Sequence, residues 1–351
     1  KDSYTGRIVV FGARPFDNTD SEVDYMHFRT EESMLSAFLQ YWNENYPDVI
    51  TGWNVQLFDI PYIARRVTRI LGEKAAKSLS PWKLISSREI YIKGRKQIAY
   101  DLPGISTLDY LELYRKFTYT NQESYRLDHI CLVELGERKL DHSEYDTFKE
   151  FYEKNWQKFI EYNIHDVRLV DKLDDKMKLL DLAFTMAYDA KVNYEDVFSQ
   201  VRMWDNYIYC ELNKRKIAIP PKRDALKDAK YAGAYVKEPK AGRYDWVVNF
   251  DLNSLYPHLI MQYNISPETL TDDRHPTVTV DRILQQEVDI DGDFAVCANG
   301  AQYRKDEQGF LPLMMQKMYD SRVIFKKKMI KAKQQYEKTP TVELMKEIAR
   351  C

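Results

Sequence analysis

The sequence predicts a multidomain chain of α/β and α+β class, and three observations carry that expectation. The chain has 351 residues, against about 150 for an average domain, so two domains are expected, or three. Its first half alternates short β-rich runs with helical apolar stripes, the pattern of layered α/β structure. After Tyr188 the pattern changes, and a second strand–turn–helix signal follows a basic, proline-marked connection.

Taken in order, Arg7 to Phe11 reads as a strand, and Glu31 to Trp42 as a helix whose stripe is Met34, Leu35, Phe38, Leu39 and Trp42. Asp48 to Gly52 reads as a buried strand. A helix starts near Pro61, a residue favoured in the first helical turn. A strand lies within Ile98 to Tyr110, and Phe148 to Leu182 is strongly helical. Asn206 to Leu212 continues helically, and Lys214 to Lys230, with Pro220 and Pro221, connects the halves. Trp246 to Phe250 predicts a strand running into Asp251, and a helix follows from about Tyr256. Val278 to Phe310 predicts a helix and small hairpins turned at Asp-Gly and Asn-Gly. Leu313 to Lys338 predicts a long basic helix, and Thr341 to Cys351 its partner.

Composition excludes several classes. With 44% hydrophobic residues the chain is not disordered, and with 12 Gly and 13 Pro it is not collagen-like. The formal net charge of -2 means that any nucleic-acid surface must be local. Cys131, Cys210, Cys297 and Cys351 are far apart, so neither a zinc site nor a disulfide framework is indicated. No apolar run reaches about 18 residues, so no membrane partner is expected. Motifs for a P-loop, a dinucleotide fold, a serine hydrolase and a zinc protease are all missing. Asp289 to Asp293 faintly resembles a calcium loop but lacks its closing Glu, so a hairpin turn is expected there. The first residue is Lys1 rather than Met, and the last lies inside a charged helical pattern, so the chain is expected to be a fragment.

Four segments carry carboxylates or charge in suggestive settings. In Asn54 to Tyr62, Asp59 lies between Phe58 and Ile60 at a strand-to-helix turn; it suits a helix N-cap or a metal ligand. Tyr162 and Asp166 share a helix face at i and i+4, as a surface contact or as a phenol and carboxylate aimed at one phosphate. Asp109 sits among apolar neighbours and could equally be a satisfied structural residue. At Asp251 a β-branched run ends in a carboxylate able to hold a divalent ion, with a backbone carbonyl beside it. Residues 313–338 hold eight basic side chains against two acidic, interleaved with Tyr319 and Phe325, which suits a helix lying over phosphates.

Together these residues resemble the family B DNA polymerases. Asp251-Leu252-Asn253-Ser254-Leu255-Tyr256-Pro257 resembles the family's motif A, and the run from Phe250 to Leu270 is similar to the replicative polymerases of T4-type bacteriophages. Asn54 to Asp59 resembles the second motif of their 3′–5′ exonuclease, and Tyr162 to Asp166 the third. Tyr231 to Ala234 resembles the template-contacting segment between the two activities. Gly309 to Pro312, leading to Arg322 and Lys326, resembles the start of the fingers. The order is collinear over nearly the whole chain, which makes chance caps and chance pairs improbable.

The resemblance implies a ribonuclease-H-like 3′–5′ exonuclease domain over 1–187 and a linker and template-contacting segment over 188–240. The first part of a palm would span 241–312 and the first part of helical fingers 313–351. It implies template-directed DNA synthesis from dNTPs with proofreading, and magnesium as cofactor in two-metal sites, with manganese as a substitute. Asp59, Tyr162, Asp166 and Asp251 would be catalytic: Asp59 and Asp166 would hold exonuclease metals, and Tyr162 would orient the attacking water. Asp251 and the Leu252 carbonyl would hold polymerase metals. Ser254, Leu255, Tyr256, Arg322 and Lys326 would bind nucleotide, with Tyr256 excluding a 2′-OH and the two cations clamping the triphosphate. Asn54, Tyr231 and Gly233 would contact DNA. Partners would be primer-template DNA, dNTPs, and a sliding clamp and replisome proteins bound through regions outside this sequence. The location would be the cytoplasm of the infected bacterial host.

Some family features are not in these 351 residues. The only early D-x-E, Asp20-Ser21-Glu22, lies in a polar loop too close to Asp59 to serve as the first exonuclease motif. Neither K-x-x-x-N-S-x-Y-G nor D-T-D-S occurs. The chain alone is therefore expected neither to polymerise nor to proofread at a normal rate, with a second chain as one source of the rest. A stand-alone ribonuclease-H-like exonuclease and a non-catalytic DNA-binding fragment are the alternative readings.

Overall fold

The computed structural model describes residues 1–92, 94–219, 221, 236–288, 290 and 292–350. Tyr231 and Gly233, most of the Lys214–Lys230 connection, Cys351, and Asp289 and Asp291 of the expected turn lie outside them. The chain divides into two compact units, Lys1–Ala229 and Lys230–Cys351.

The first unit opens with β1 (Ile8–Gly12), which pairs in parallel with β2 (Val23–His27), Ile8 opposite Val23. Helix α1 (Glu31–Glu44) starts at Thr30, whose side chain accepts the Ser33 N–H, and it packs its expected stripe inward through Leu35, Phe38, Leu39 and Trp42. Strand β3 (Val49–Gly52) leads through a turn into α2 (Asp59–Leu71) and α3 (Glu73–Lys77). An antiparallel hairpin, β4 (Ser86–Ile92) and β5 (Arg95–Asp101), precedes β6 (Ser106–Asp109), which returns to pair in parallel with β3. Helices α4 (Tyr110–Phe117) and α5 (Leu127–Leu135) follow, α5 ending at left-handed Gly136.

The single helix expected over 148–182 is three: α6 (Phe148–Lys154), α7 (Trp156–Met177) and α8 (Leu179–Ala190). Asn155 leaves helical dihedrals and caps α7 by accepting the Lys158 N–H, while Lys178 turns left-handed at φ 54°. Each break redirects an apolar face toward the core. A 3₁₀ turn at Tyr194–Phe198 and α9 (Gln200–Lys214) pack on α8, so the start of the expected linker is helical and belongs to this unit. The strands do not join into one sheet among the described residues; they form the two parallel pairs and the hairpin. The apolar interior is likewise divided into three clusters. One lies around Leu108, Tyr114 and Leu173, a second around Leu39, Val67 and Ile105, and a third around Ile8, Val23, Ile160 and Ile164.

In the second unit the strand expected at Trp246–Phe250 is not formed. Trp246 and Phe250 are 93% and 88% exposed, and no described strand runs alongside to take their backbone hydrogen bonds. Helix α10 (Leu255–Gln262) starts where the sequence placed it. Strand β7 (Leu270–Arg274), the short helix α11 (Val280–Leu284), β8 (Phe294–Val296) and β9 (Ala301–Arg304) follow, forming a three-stranded antiparallel sheet in the order β7-β9-β8. Then come the long basic helix α12 (Phe310–Lys338) and α13 (Val342–Arg350), which packs on it. Among the described residues no helix is long and apolar enough to cross a membrane.

Candidate functional site

The candidate residues fall into three local settings, two in the first unit and one in the second. The first is the turn between β3 and α2. Asp109, at the end of β6, is 2% exposed. Its Oδ1 accepts the backbone N–H of Asn54 at 2.9 Å and of Leu111 at 3.0 Å, and its Oδ2 accepts that of Gln56 at 3.0 Å. It thus caps α4 and ties down the turn, the structural alternative left open for it. Asn54 takes a left-handed φ of 65°, a region asparagine tolerates better than most residues. Asp59 follows as the first residue of α2, and its side chain makes no cap. Crowding by packed chain, with the Asp109 charge adding, pushes its carboxyl up to about 6.

The second setting lies on α7. Tyr162 and Asp166 share a face as their spacing predicts, and Tyr162 is buried. Between them stands Lys139, which the sequence reading did not single out. Its Nζ lies 2.6 Å from Asp166 Oδ2 and 4.6 Å from the Tyr162 ring centroid. Burial opposes the lysine charge, but Asp166 and Tyr162 more than offset it and hold the ammonium above its usual range. Burial also pushes the Asp166 carboxyl up, against the pull of Lys139. His142 stacks on the other side of Tyr162 at 5.3 Å between centroids. The rejected pair Asp20 and Glu22 binds Arg168 at 2.6 and 3.1 Å, a surface ion-pair cluster.

Asp166 Oδ1 is buried and without a hydrogen-bond partner among the described residues, the condition of an oxygen suited to a cation. However, no group of three or more His, Cys, Asp or Glu side chains able to hold a metal forms among the described residues. Asp59 and Asp166 answer to different neighbours, Asp109 for one and Lys139 for the other. An ion would thus meet single carboxylates rather than a finished cage.

The third setting joins the Asp251 loop to α12. Ser254 is left-handed at φ 52° and forms the N-terminal boundary of α10. Its Oγ accepts from Arg322 Nη1 at 2.8 Å, so one nucleotide-binding candidate holds another. Below them the His258 ring meets Tyr319 edge-on at 4.6 Å, and α10 packs along α12. Leu252 and Tyr256 are 69% and 71% exposed, and Lys326, one turn beyond Arg322, is also exposed. Strain at Ser254 is of a kind that collects at binding sites.

A polar network missed in the sequence fixes where α12 starts. Asn264 is buried and left-handed; its Oδ1 accepts the Gly309 N–H at 2.8 Å, and its Nδ2 donates to the carbonyls of Arg304 and Glu307. Glu268 Oε1 accepts the Phe310 N–H at 2.6 Å. These acceptors satisfy donors that a helix N-terminus leaves free.

Comparison with known proteins bears on all three settings. A family model described as DNA polymerase family B, exonuclease domain, matches residues 7–130, and a second, DNA polymerase family B, matches residues 199–343. The chain belongs to DNA polymerase family B. It is 38% identical over 321 residues to the DNA-directed DNA polymerase of Escherichia phage RB69, covering 90% of this chain and 35% of that protein. It is 36% identical over 308 residues to that of Enterobacteria phage T4, covering 88% and 34%. To DNA polymerase 1 of Aeropyrum pernix it is 29% identical over 278 residues, covering 74% and 27%. The chain thus spans about a third of the length of the two phage relatives. The Asp59 turn lies in the exonuclease match, and the Asp251 loop with Arg322 and Lys326 lies in the polymerase match.

Proposed function

We propose that the chain is the central part of a replicative polymerase that copies a DNA template from dNTPs and proofreads with a 3′–5′ exonuclease. The observation that carries this is the Arg322–Ser254 hydrogen bond at 2.8 Å, which gathers the Asp251 loop and the basic helix at one place within a polymerase-family match. In this reading 1–187 is a ribonuclease-H-like exonuclease domain, 241–312 opens the palm and 313–351 opens the fingers, with 188–240 between them contacting the template. Magnesium or manganese, held by Asp59 and Asp166 in one site and by Asp251 with the Leu252 carbonyl in the other, would activate the attacking oxygen and neutralise phosphate charge.

The chain's own residues then have defined tasks. Arg322 exchanges the Ser254 hydroxyl for phosphate oxygens, and Lys326 adds a second positive charge. Leu255 and Ser254 border the triphosphate, and Tyr256 presents its ring to the sugar. Tyr162, fixed between Lys139 and His142, keeps its phenol beside Asp166. Asn54 meets the strand to be trimmed. Primer-template DNA is the partner at both sites. Clamp and replisome contacts, and any chain supplying further polymerase motifs, fall outside these residues, and the setting is the host cell cytoplasm.

The test is equilibrium binding of a fluorescent dNTP with magnesium to the purified chain. Arg322→Ala and Lys326→Ala should each weaken binding about tenfold, the scale of one charge-assisted contact. Unchanged affinity in both variants would remove the basis for the reading.

A further inference from the structure

Two strand edges in the first unit open onto one cleft. In β1 the Ile8 N–H donates to Glu22 O and Gly12 O accepts from the Phe28 N–H, both at 2.9 Å, so the even-numbered residues bond toward β2. Alternation turns the N–H and C=O of Val9 and Phe11 to the opposite edge. In β3 the Asp48 O accepts from the Ser106 N–H at 2.9 Å, so even-numbered residues again face their partner, and Val49 and Thr51 face away. Among the described residues no strand pairs with either open edge. Val9, Phe11 and Val49 line the same cleft of about 870 Å³, walled by Phe38 and Trp42 of α1 and Phe184 of α8. The apolar interior breaks here too: Ile8 and Val10 of β1 belong to one cluster, while Val49 and Ile50 of β3 pack with the other two.

We propose that this cleft is a strand-acceptor slot, filled by one extended, β-branched, uncharged segment that joins β1 to β3. Two open backbone edges select an extended chain over a helix or a small molecule. Only a strand offers donors and acceptors on both sides at the spacing of about 4.8 Å that pairing needs. The aromatic wall selects apolar side chains at alternate positions. The segment comes from outside these 351 residues, which span about a third of the related phage polymerases. The proposal does not depend on the polymerase reading.

The experiment is amide hydrogen exchange on the full 351-residue chain, with and without a peptide of about seven alternating Val and Thr residues. The control is the same peptide N-methylated at alternate positions, which removes its donors along one edge. The unmodified peptide should slow exchange at Val9, Phe11 and Val49 by at least about tenfold and leave Ile8 and Val10, already bonded, unchanged. The methylated peptide should give no such protection. Phe11→Lys should weaken the effect; if that variant does not fold, the methylated peptide still decides. Absent protection, protection at the even-numbered residues instead, or equal protection by both peptides overturns the proposal.

Discussion

Replacing Asp109 by alanine tests how the exonuclease-side turn is held. The carboxylate is 2% exposed and accepts three backbone N–H groups, from Asn54, Gln56 and Leu111. Alanine leaves all three without an acceptor, at about 1–3 kcal/mol each where water cannot replace it. Leu111 is buried and bears the full cost, whereas Asn54 and Gln56 are half-buried and recover part of theirs, so the expected loss is about 3–5 kcal/mol. That is a large share of the 5–15 kcal/mol that holds a typical domain. Asparagine separates the contributions. With its oxygen at the Oδ1 position it keeps Asn54 and Leu111 but turns an N–H against the Gln56 donor, for an expected loss of about 1–2 kcal/mol. Urea unfolding followed by tryptophan fluorescence reads this directly, because Trp53 adjoins the turn and donates to Tyr125 O at 3.1 Å. A loss under about 1 kcal/mol for alanine, or equal losses for both variants, would refute the account.

Asp59→Asn should change the pH profile of stability. The folded carboxyl binds its proton more tightly than the unfolded one, so the wild-type chain loses stability as pH rises from about 4 through about 6. The Asn variant should lack that decline in unfolding titrations across the window. Lys139→Met should leave Asp166 as a buried charge without its counterion. Both side chains are about a quarter exposed, so a loss of about 2–3 kcal/mol is expected at pH 8. The loss should be smaller at pH 5, where the raised Asp166 carboxyl can take a proton; urea midpoints at the two pH values check it. Asn264→Ala should free the Gly309 N–H and two carbonyls, and hydrogen exchange should accelerate in the first turn of α12 while its last turns stay unchanged.

Local signals in the sequence were informative where the chain decides its own structure. The apolar stripe of α1, the Pro61 helix start and the i, i+4 pairing of Tyr162 with Asp166 are all short-range patterns, and the structure has them. Features that depend on distant partners were harder to read. Trp246 to Phe250 has every strand residue but no described neighbour to pair with. Lys139 lies 27 residues from Asp166 in the chain, in a polar stretch with no motif of its own. Asn264 resembles any turn asparagine until Gly309 is folded against it. Asp109 was legible only as a choice between two roles, and its three N–H donors decide in favour of the structural one.

The anchoring of α12 at its first turn has a mechanical consequence. The helix is 29 residues long, about 44 Å at 1.5 Å per residue, and its N-terminus is pinned by Asn264 and Glu268. Arg322 sits about 18 Å along that lever. A swing of about 10° about the pin would carry the guanidinium roughly 3 Å, about the length of its 2.8 Å bond to Ser254. The same swing would carry the far end more than twice as far. The gearing of the helix thus turns a few degrees at the pivot into the making or breaking of one contact at mid-length, while its basic far end sweeps a much wider arc.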